Sequence, residues 1–159
     1  MDIDIRPATE RDIGVIAANN AALALETEHR RLAPELVRAG VAAALADPEK
    51  GRYFVADRAG DVVGQIMHTY EWSDWRNGCF WWIQSVYVLQ SARGQGVFRR
   101  LYEHVRTLAR AQPEVCGLRL YVERENSRAQ QTYRQCGLVD SGYLVMEEDF
   151  SGLVARTRS

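Results

Sequence analysis

The sequence predicts an α/β fold, a mixed sheet with helices packed on it, and three features carry that prediction. Apolar residues recur with the two-residue period of strands in some segments and with the helical period of about 3.6 residues in others. Asn77-Gly78 lies between two aromatic-rich runs, which is a strong signal for a β-hairpin. After Gly96 the apolar period changes from that of a strand to that of a helix. The resulting order of elements is βααβββαβαβ.

The first strand and the first helix are indicated by residues near the N-terminus. Ile3 and Ile5 alternate with charged residues, which is typical of a short strand. Thr9 and Asp12 have the spacing of a capping box, in which each residue satisfies a free backbone N–H group of the other. We therefore expect a helix that begins near Thr9 and runs toward Leu25.

A second helix and two strands follow. The helix should begin at Ala33-Pro34-Glu35, because proline is well tolerated in a first turn, and end near Asp47-Pro48. Strands are expected over Arg52 to Asp57 and Val62 to Tyr70, joined by a turn at 59–61. The next strand, Cys79 to Leu89, is almost continuously apolar or aromatic, which predicts a position inside the sheet.

The remaining elements include one long helix and a shorter one. The long helix should stop before Pro113. Its apolar positions are Val97, Leu101, Val105 and Leu108. Alternating Leu118, Leu120 and Val122 predict a strand. Asn126 can cap a short helix that ends at Gly137, and Tyr143 to Met146 resembles a last strand.

Length and composition favour one soluble domain. We expect a single domain over residues 1–150 and a C-terminal tail over 151–159. The net charge of −1 gives no electrostatic reason for nucleic acid as a partner. No apolar run is long enough for a membrane helix, and the N-terminus lacks the layout of a signal peptide. Three scattered cysteines are expected to be small buried residues in a reducing compartment, so we predict a cytoplasmic protein.

The segment from Val86 to Phe98 is the most informative in the chain. A buried strand runs into a glycine-rich loop, Arg93-Gly94-Gln95-Gly96, and the loop opens a helix. The first amides of a helix lack internal partners and carry partial positive charge, so this arrangement suits a pyrophosphate. The segment is neither a P-loop nor a dinucleotide fingerprint, because the glycine, lysine and hydroxyl residues that those motifs need are missing.

Two motifs in the expected order resemble those of the GNAT superfamily of acetyl-CoA-dependent N-acetyltransferases. Arg93-x-x-Gly96, after Val86-Tyr87-Val88, resembles the family's acetyl-CoA signature. The second motif is Leu120-x-Val122-x-x-x-Asn126-x-x-Ala129-x-x-x-Tyr133-x-x-x-Gly137-Leu138. The resemblance implies a mostly antiparallel mixed sheet with a splayed central strand pair and helices on both faces.

The resemblance also implies roles for individual residues. The loop would bind the pyrophosphate through its backbone amides, helped by Arg93. The amides concerned are those of Gly94, Gln95, Gly96, Val97 and Phe98. The pantetheine arm would pair with the strand edge at Val86, Tyr87 and Val88 and contact Asn126. Tyr133 would lie near the sulfur, where its hydroxyl can protonate the leaving thiolate.

Two residues depart from the family pattern. Phe98 occupies a position where the family usually has glycine or alanine, so its ring should point away from the phosphates. Gln84 lies where several members carry a glutamate as general base, and glutamine cannot accept a proton at neutral pH. The base must therefore lie elsewhere or be unnecessary. The candidates are Glu71, which is favoured because its strand neighbours that of Gln84, then Glu26, Glu28, His29 and water.

An aromatic cluster surrounds the predicted hairpin. Trp72 and Trp75 lie in its loop beside Glu71 and Asp74, so they could hold a cationic amine through cation–π and charge contacts. A homodimer interface is an equally good use, because aromatic residues are enriched at interfaces. The expected acceptor site combines Glu26, Glu28, Trp72, Trp75 and Gln84.

The sequence thus predicts an acetyl-CoA-dependent N-acetyltransferase. A primary amine of a small molecule or peptide would attack the thioester directly, and no metal is required. The acceptor stays open among polyamine, aminoglycoside, amino acid and protein N-terminus. The alternative is a non-catalytic acyl-CoA-binding or regulatory protein with the same fold, which Gln84 favours and Tyr133 opposes.

Overall fold

The computed structural model describes residues 2–152 and divides them into two compact units. The N-terminal unit comprises residues 2–121, and the C-terminal unit comprises residues 122–152. Each unit is described by itself. The single domain expected over residues 1–150 stays a prediction, and most of the expected tail, residues 153–159, lies outside the described residues.

The N-terminal unit follows the predicted element order closely. Its elements are β1 (Asp4–Pro7), α1 (Ile13–Glu28), α2 (Pro34–Ala46), β2 (Arg52–Arg58), β3 (Asp61–Ser73), β4 (Gly78–Val88), α3 (Val97–Arg110) and β5 (Val115–Leu120). A 3₁₀ turn at Glu10–Asp12 leads into α1. The Thr9 N–H donates to Asp12 Oδ2 at 2.7 Å, and this bond confirms the predicted start of the first helix.

The strands of this unit form one sheet in the order β1-β2-β3-β4-β5. Neighbouring strands from β1 to β4 are antiparallel, whereas β4 and β5 are parallel. The sheet is therefore mixed and mostly antiparallel, as predicted. β4 has a partner on each side, which explains why its sequence is almost continuously apolar.

Helices cover both faces of the sheet. Tyr53 and Val55 of β2 belong to a buried cluster with Ile16 of α1 and Val41 of α2. Phe54, the residue between them, points to the opposite face, where its ring lies 4.8 Å from that of His104 on α3. Burial of these two apolar layers against the sheet fixes α1 and α2 on one face and α3 on the other.

The predicted hairpin between β3 and β4 is confirmed, although its turn is wider than the sequence suggested. Ser73 pairs with Gly78, so four residues, 74–77, form the connection. Asn77 has a left-handed φ of 45°, which asparagine tolerates better than most residues. Gly78 begins β4 instead of occupying the turn, and Cys116 Cβ would lie 3.1 Å from a side-chain carbon at this position.

The C-terminal unit contains α4 (Ser127–Gln135), the helix predicted after Asn126. Asn126 Oδ1 accepts a hydrogen bond from the Ala129 N–H at 3.1 Å, which confirms the predicted N-cap. At the other end, Gly137 has a left-handed φ of 97°, and the Leu138 N–H donates to the Tyr133 carbonyl. These features form the helix end that the glycine predicted.

The prediction of a last strand at Tyr143 to Met146 is wrong, since these residues form no strand in the described part of the chain. Polar side chains just before them bind the backbone locally. The Gly142 N–H donates to Asp140 Oδ1 at 2.8 Å, and the Tyr143 N–H donates to Ser141 Oγ at 3.3 Å. Such bonds compete with the ladder of a sheet, and the apolar alternation in the sequence did not reveal them.

Candidate active site

The segment from Arg93 to Phe98, called the phosphate loop below, joins the end of β4 to α3. Gly94 and Gly96 have φ values of 76° and 77°, in the left-handed region that glycine adopts at little cost. No heavy atom outside the adjoining backbone lies within 4 Å of the place where either Cβ would be. The Arg100 N–H makes the first helical bond, to the Gly96 carbonyl, so the amides of residues 97–99 precede the hydrogen-bonded helix. The loop therefore has the shape and polarity of an anion cradle.

Arg93 is held on the neighbouring strand and helix. Its Nε donates to the Val88 carbonyl and its Nη2 donates to Glu26 Oε2, both at 2.9 Å. The other carboxylate oxygen, Glu26 Oε1, accepts from the Tyr87 hydroxyl at 2.9 Å. Arg93, and to a smaller extent Tyr87, keeps the pKa of Glu26 below its ordinary value. The structure thus places Glu26 at the phosphate loop. Sequence analysis had instead assigned this residue to the acceptor site.

Gln95 connects the phosphate loop to a residue that sequence analysis missed. Its Nε2 donates to the Ser91 carbonyl at 3.0 Å, and its Oε1 accepts from Arg58 Nη2 at 2.6 Å. Arg58 is the last residue of β2 and brings a positive charge to this end of the sheet. Only the packing of β2 beside the phosphate loop reveals the contact, because nothing in the sequence relates positions 58 and 95.

The ring of Phe98 lies along α3. Its centroid is 6.0 Å from that of Tyr102, one helical turn further along the chain. A ring in this direction leaves the Phe98 amide at the first turn of the helix. The arrangement therefore agrees with the expected orientation of the ring, away from the N-terminal end where an anion would bind.

Within the N-terminal unit, residues 2–121, the far end of β4 has an open backbone edge. The β4–β5 ladder runs from Cys79↔Val115 to Ile83↔Leu120, where β5 ends, whereas β4 continues to Val88. The Leu89 N–H donates to the Val63 carbonyl on β3 at 3.0 Å. Because amide directions alternate along a strand, the N–H groups of Val86 and Val88 face away from β3, toward the side that β5 leaves open. This is the splayed strand pair that the sequence motifs imply.

A β-bulge interrupts β4 just before this open edge. Gln84 pairs with Met67 and Tyr87 pairs with Gln65, so two residues of β4 lie opposite the single residue Ile66 of β3. The first of the two, Ser85, has a left-handed φ of 51°. Because of the extra residue, the side chains after the bulge point to the opposite face from the one they would have in a regular strand. The Tyr87 side chain therefore lies on the face that α1 covers.

Gln84 and Glu71 lie on one face of the sheet but far apart. Gln84 Nε2 donates to Thr69 Oγ1 at 2.6 Å. Glu71 pairs across the strands with Phe80, not with Gln84, and its carboxylate accepts a hydrogen bond from Arg119. Phe80 and Gln84 are four positions apart on β4, which is roughly 13 Å of strand. The register therefore removes the argument from proximity that favoured Glu71 as the base.

The other residues expected in the acceptor site lie on the surface. Trp72 and Trp75 are 62% and 85% exposed at the tip of the hairpin. Glu28 is the last residue of α1, and His29 follows in a left-handed conformation. The structure therefore places the two tryptophans on the hairpin and Glu28 at the end of α1.

Two of the predicted site residues lie in the C-terminal unit. Asn126 is occupied with capping α4, and its role toward pantetheine stays a prediction. Tyr133 lies in the last turn of α4, and burial raises the pKa of its hydroxyl. A phenol carries its proton at neutral pH, so the hydroxyl can act as a general acid.

Three further observations concern metal sites, membrane helices and cysteines. Within residues 2–152, no three histidine, cysteine, aspartate or glutamate side chains are grouped so as to hold a metal ion. None of the helices in the same range has the length and apolar character needed to cross a membrane. The cysteines are free, but Cys116 is exposed, while Cys79 and Cys136 are half-buried, so the expectation that all three are buried is wrong.

Comparison with known proteins now gives the family. Residues 16–138 match the sequence profile of the Acetyltransferase (GNAT) family. The chain belongs to this family. Its structure is similar to that of a possible acetyltransferase from Clostridium difficile 630, with a TM-score of 0.87 and 43% identity over 92% of this chain and 97% of that one. No curated protein sequence matches the chain.

More distant structures share the fold of this GNAT protein. The ribosomal-protein-alanine N-acetyltransferase of Brucella melitensis biovar Abortus 2308 has a TM-score of 0.75 and 18% identity, over 94% of this chain and 100% of that one. A transcriptional regulator from Bacillus halodurans C-125 has a TM-score of 0.79 and 19% identity, over 94% and 100% of the two chains. At such identities the likeness concerns the fold alone.

Proposed function

We propose that this GNAT protein is an N-acetyltransferase that uses acetyl-CoA. The acceptor is a primary amine of a small molecule or peptide, and it attacks the thioester directly. Membership of the acetyltransferase family supports the reaction class. The observation that carries the proposal is the open edge of β4 leading into the phosphate loop, because together they offer backbone donors to a long phosphorylated ligand.

The residues present fit acetyl-CoA. The empty space beside Gly94 and Gly96 admits a pyrophosphate close to the backbone, and the amides from Gly94 to Phe98 would donate to it. The open strand edge from Val86 to Val88 would bind the amide groups of the pantetheine arm as an added strand would. When bound, acetyl-CoA supplies an activated acetyl group as a thioester.

Three functions then fall to the protein. The Val86 or Val88 N–H would stabilise negative charge that develops on the thioester oxygen. The Tyr133 hydroxyl would give its proton to the departing sulfur. The amine must also lose a proton, since an alkylamine with a pKa near ~10 is mostly charged at pH 7.

The positions of Glu26 and Glu71 reduce the number of candidates for the group that accepts this proton. Glu26 accepts hydrogen bonds from Arg93 and Tyr87, and its lowered pKa makes it a weak base. Glu71 lies too far along the strand for direct contact with an amine at Val86 or Val88. We therefore assign the proton to solvent water, with Glu28 and His29 as the groups to test next.

A non-catalytic acyl-CoA-binding protein is the second candidate. Gln84 cannot act as a base, and its amide is engaged by Thr69. Such a protein would bind acetyl-CoA but release no free thiol with any amine. Thiol detection with a panel of polyamines, aminoglycosides, amino acids and peptides separates the two functions and identifies the acceptor class.

A cytoplasmic location and a homodimer stay predictions, and the exposed Trp72 and Trp75 suit either an acceptor wall or a dimer contact.

Replacing Gly94 with aspartate tests the phosphate loop. We expect acetyl-CoA affinity to fall at least tenfold, about 1.4 kcal/mol, because the new carboxylate would face the pyrophosphate. The site is open enough for the side chain, so the fold should persist. Isothermal titration calorimetry measures the change.

The matched control is Gly94→Asn, which has the same shape and the same backbone strain but no charge. Its affinity should stay within a few-fold of wild type. A folded Gly94→Asp protein with unchanged affinity would refute the assignment of the loop.

A second substitution, Glu71→Gln, tests the base. Glutamine can still accept the hydrogen bond from Arg119, and Glu71 is remote from the open edge of β4. We expect kcat/KM to fall by less than about threefold and the pH profile to keep its shape. A loss of about 100-fold with a vanished acidic limb would instead show that Glu71 takes the proton, through a bridging water.

A further inference from the structure

We infer that Gln65 is a positioning residue for the reaction. Gln65 sets the β-bulge at Ser85 and thereby aims the Val86 and Val88 amides at the open edge. The inference rests on the proposed function, which assigns those amides to the pantetheine arm and the thioester oxygen. Gln65 lies on β3, and its backbone pairs with Tyr87 on the side of β4 opposite the open edge.

Gln65 is fully buried, yet all parts of its amide have partners. Its Nε2 donates to the Ser85 carbonyl at 3.1 Å and to Asn20 Oδ1 at 2.8 Å, while its Oε1 accepts from Asn19 Nδ2 at 3.1 Å. Asn20 Nδ2 in turn donates to the Tyr53 hydroxyl at 3.2 Å. A buried amide is costly unless it is satisfied, so this complete set of bonds fixes one orientation of Gln65 between α1 and β4.

The Ser85 carbonyl is the only backbone group in this network. Ser85 has a left-handed φ of 51°, a conformation unfavourable for a residue with a side chain. The hydrogen bond from Gln65 offsets that cost, because the carbonyl is held on the α1 side and is not left unpaired at the bulge. Without this donor, a regular strand through Ser85 would be favoured.

A regular strand would change which groups face the open edge. Amide and carbonyl directions alternate along a strand, so removal of the bulge shifts their phase by one residue. The N–H groups of Val86 and Val88 would then face β3, and the Tyr87 side chain would leave the face on which its hydroxyl reaches Glu26. The backbone amides of the phosphate loop are set by the left-handed Gly94 and Gly96. Only the Arg93 side chain, which bonds the Val88 carbonyl and Glu26, would lose contacts with the change of phase.

This separation gives a selective test. In Gln65→Leu, calorimetric affinity for acetyl-CoA should fall at least tenfold. Affinity for 3′-phosphoadenosine 5′-diphosphate, which has the phosphates but no pantetheine, should fall by no more than about threefold, because it needs the loop amides and not the open edge. The three-bond coupling between the amide and α protons of Ser85, measured by NMR without ligand, should change as its φ leaves the left-handed region. Should Gln65→Leu not fold, Gln65→Met fills the same volume with a more adaptable side chain.

Two further variants make the test specific. Ser85→Gly added to Gln65→Leu should restore much of the acetyl-CoA affinity, because glycine adopts the left-handed conformation without support. Tyr53→Phe removes a hydroxyl at the far end of the network and should leave both affinities near wild type.

Three results would overturn the inference. They are an unchanged Ser85 coupling in a folded Gln65→Leu protein, an equal loss of both affinities, and failure of the Ser85→Gly rescue. Wild-type protein that binds no acetyl-CoA would instead contradict the proposed function, and the coupling measurement distinguishes that case because it needs no ligand.

Discussion

Replacing Tyr133 with phenylalanine is expected to lower kcat by about 100-fold while acetyl-CoA affinity stays near wild type. The substitution removes one hydroxyl and retains the ring. Tyr133 lies on α4 in the second family motif, and its hydroxyl, whose pKa is raised by burial, carries its proton at neutral pH as any phenol does. Loss of the acid should slow departure of the thiolate without affecting the groups that bind the ligand.

Steady-state assays with thiol detection measure kcat, and calorimetry measures the affinity for acetyl-CoA. Tyr143→Phe is the matched control, since it makes the same chemical change at an exposed tyrosine of the same unit. It should turn over like wild type. Equal turnover of the Tyr133→Phe and wild-type proteins would reduce Tyr133 to a packing residue.

A second large effect is expected in the dependence of stability on pH. His68 is fully buried, with its ring stacked 3.8 Å from that of Trp81. Burial, and then the charge of Arg52, lowers the pKa of His68 from 6.5 to about 4. In the unfolded chain the imidazole takes up a proton below about pH 6.5, whereas the folded protein resists until about pH 4. Stability should therefore fall as the pH drops through this range, by about 3 kcal/mol in all.

His68→Phe isolates this contribution. Phenylalanine keeps an aromatic ring against Trp81 but cannot titrate, so the variant should lose less stability than wild type between pH 7 and pH 4. Urea unfolding at a series of pH values gives the free energy of unfolding of both proteins. His104 and the carboxylates are present in both, and their effects cancel in the difference. A difference that stays constant with pH would show that His68 is protonated without cost.

Local signals in the sequence were sufficient to predict much of the fold and the backbone turn of the phosphate loop. The capping residues Thr9 and Asn126 and the glycines Gly96 and Gly137 each act within one or two turns of chain, so their effect is visible without knowledge of the tertiary structure. The same holds for the order of elements, because hydrophobic period is itself local.

Several contacts that sequence analysis missed depend on which residues the fold brings opposite one another. Glu71 faces Phe80, and Gln65 reaches Ser85, because β4 contains one extra residue that no alternation of apolar side chains reveals. Glu26 likewise meets Arg93 only once α1 packs on the sheet. These contacts follow from strand register or from helix packing, and a motif at fixed spacing specifies neither.

Under the proposed function, the open edge of β4 would separate affinity from selectivity. Backbone N–H and C=O groups are the same whatever side chains the strand carries, so they would recognise the repeated amides of a pantetheine arm and not the length of the acyl chain at its end. Discrimination between acetyl and longer acyl chains must then come from side chains around the thioester. Over evolution, substitutions at those positions can change the acyl donor while affinity for the arm is retained. A protein built in this way can acquire a new donor without first losing its hold on coenzyme A.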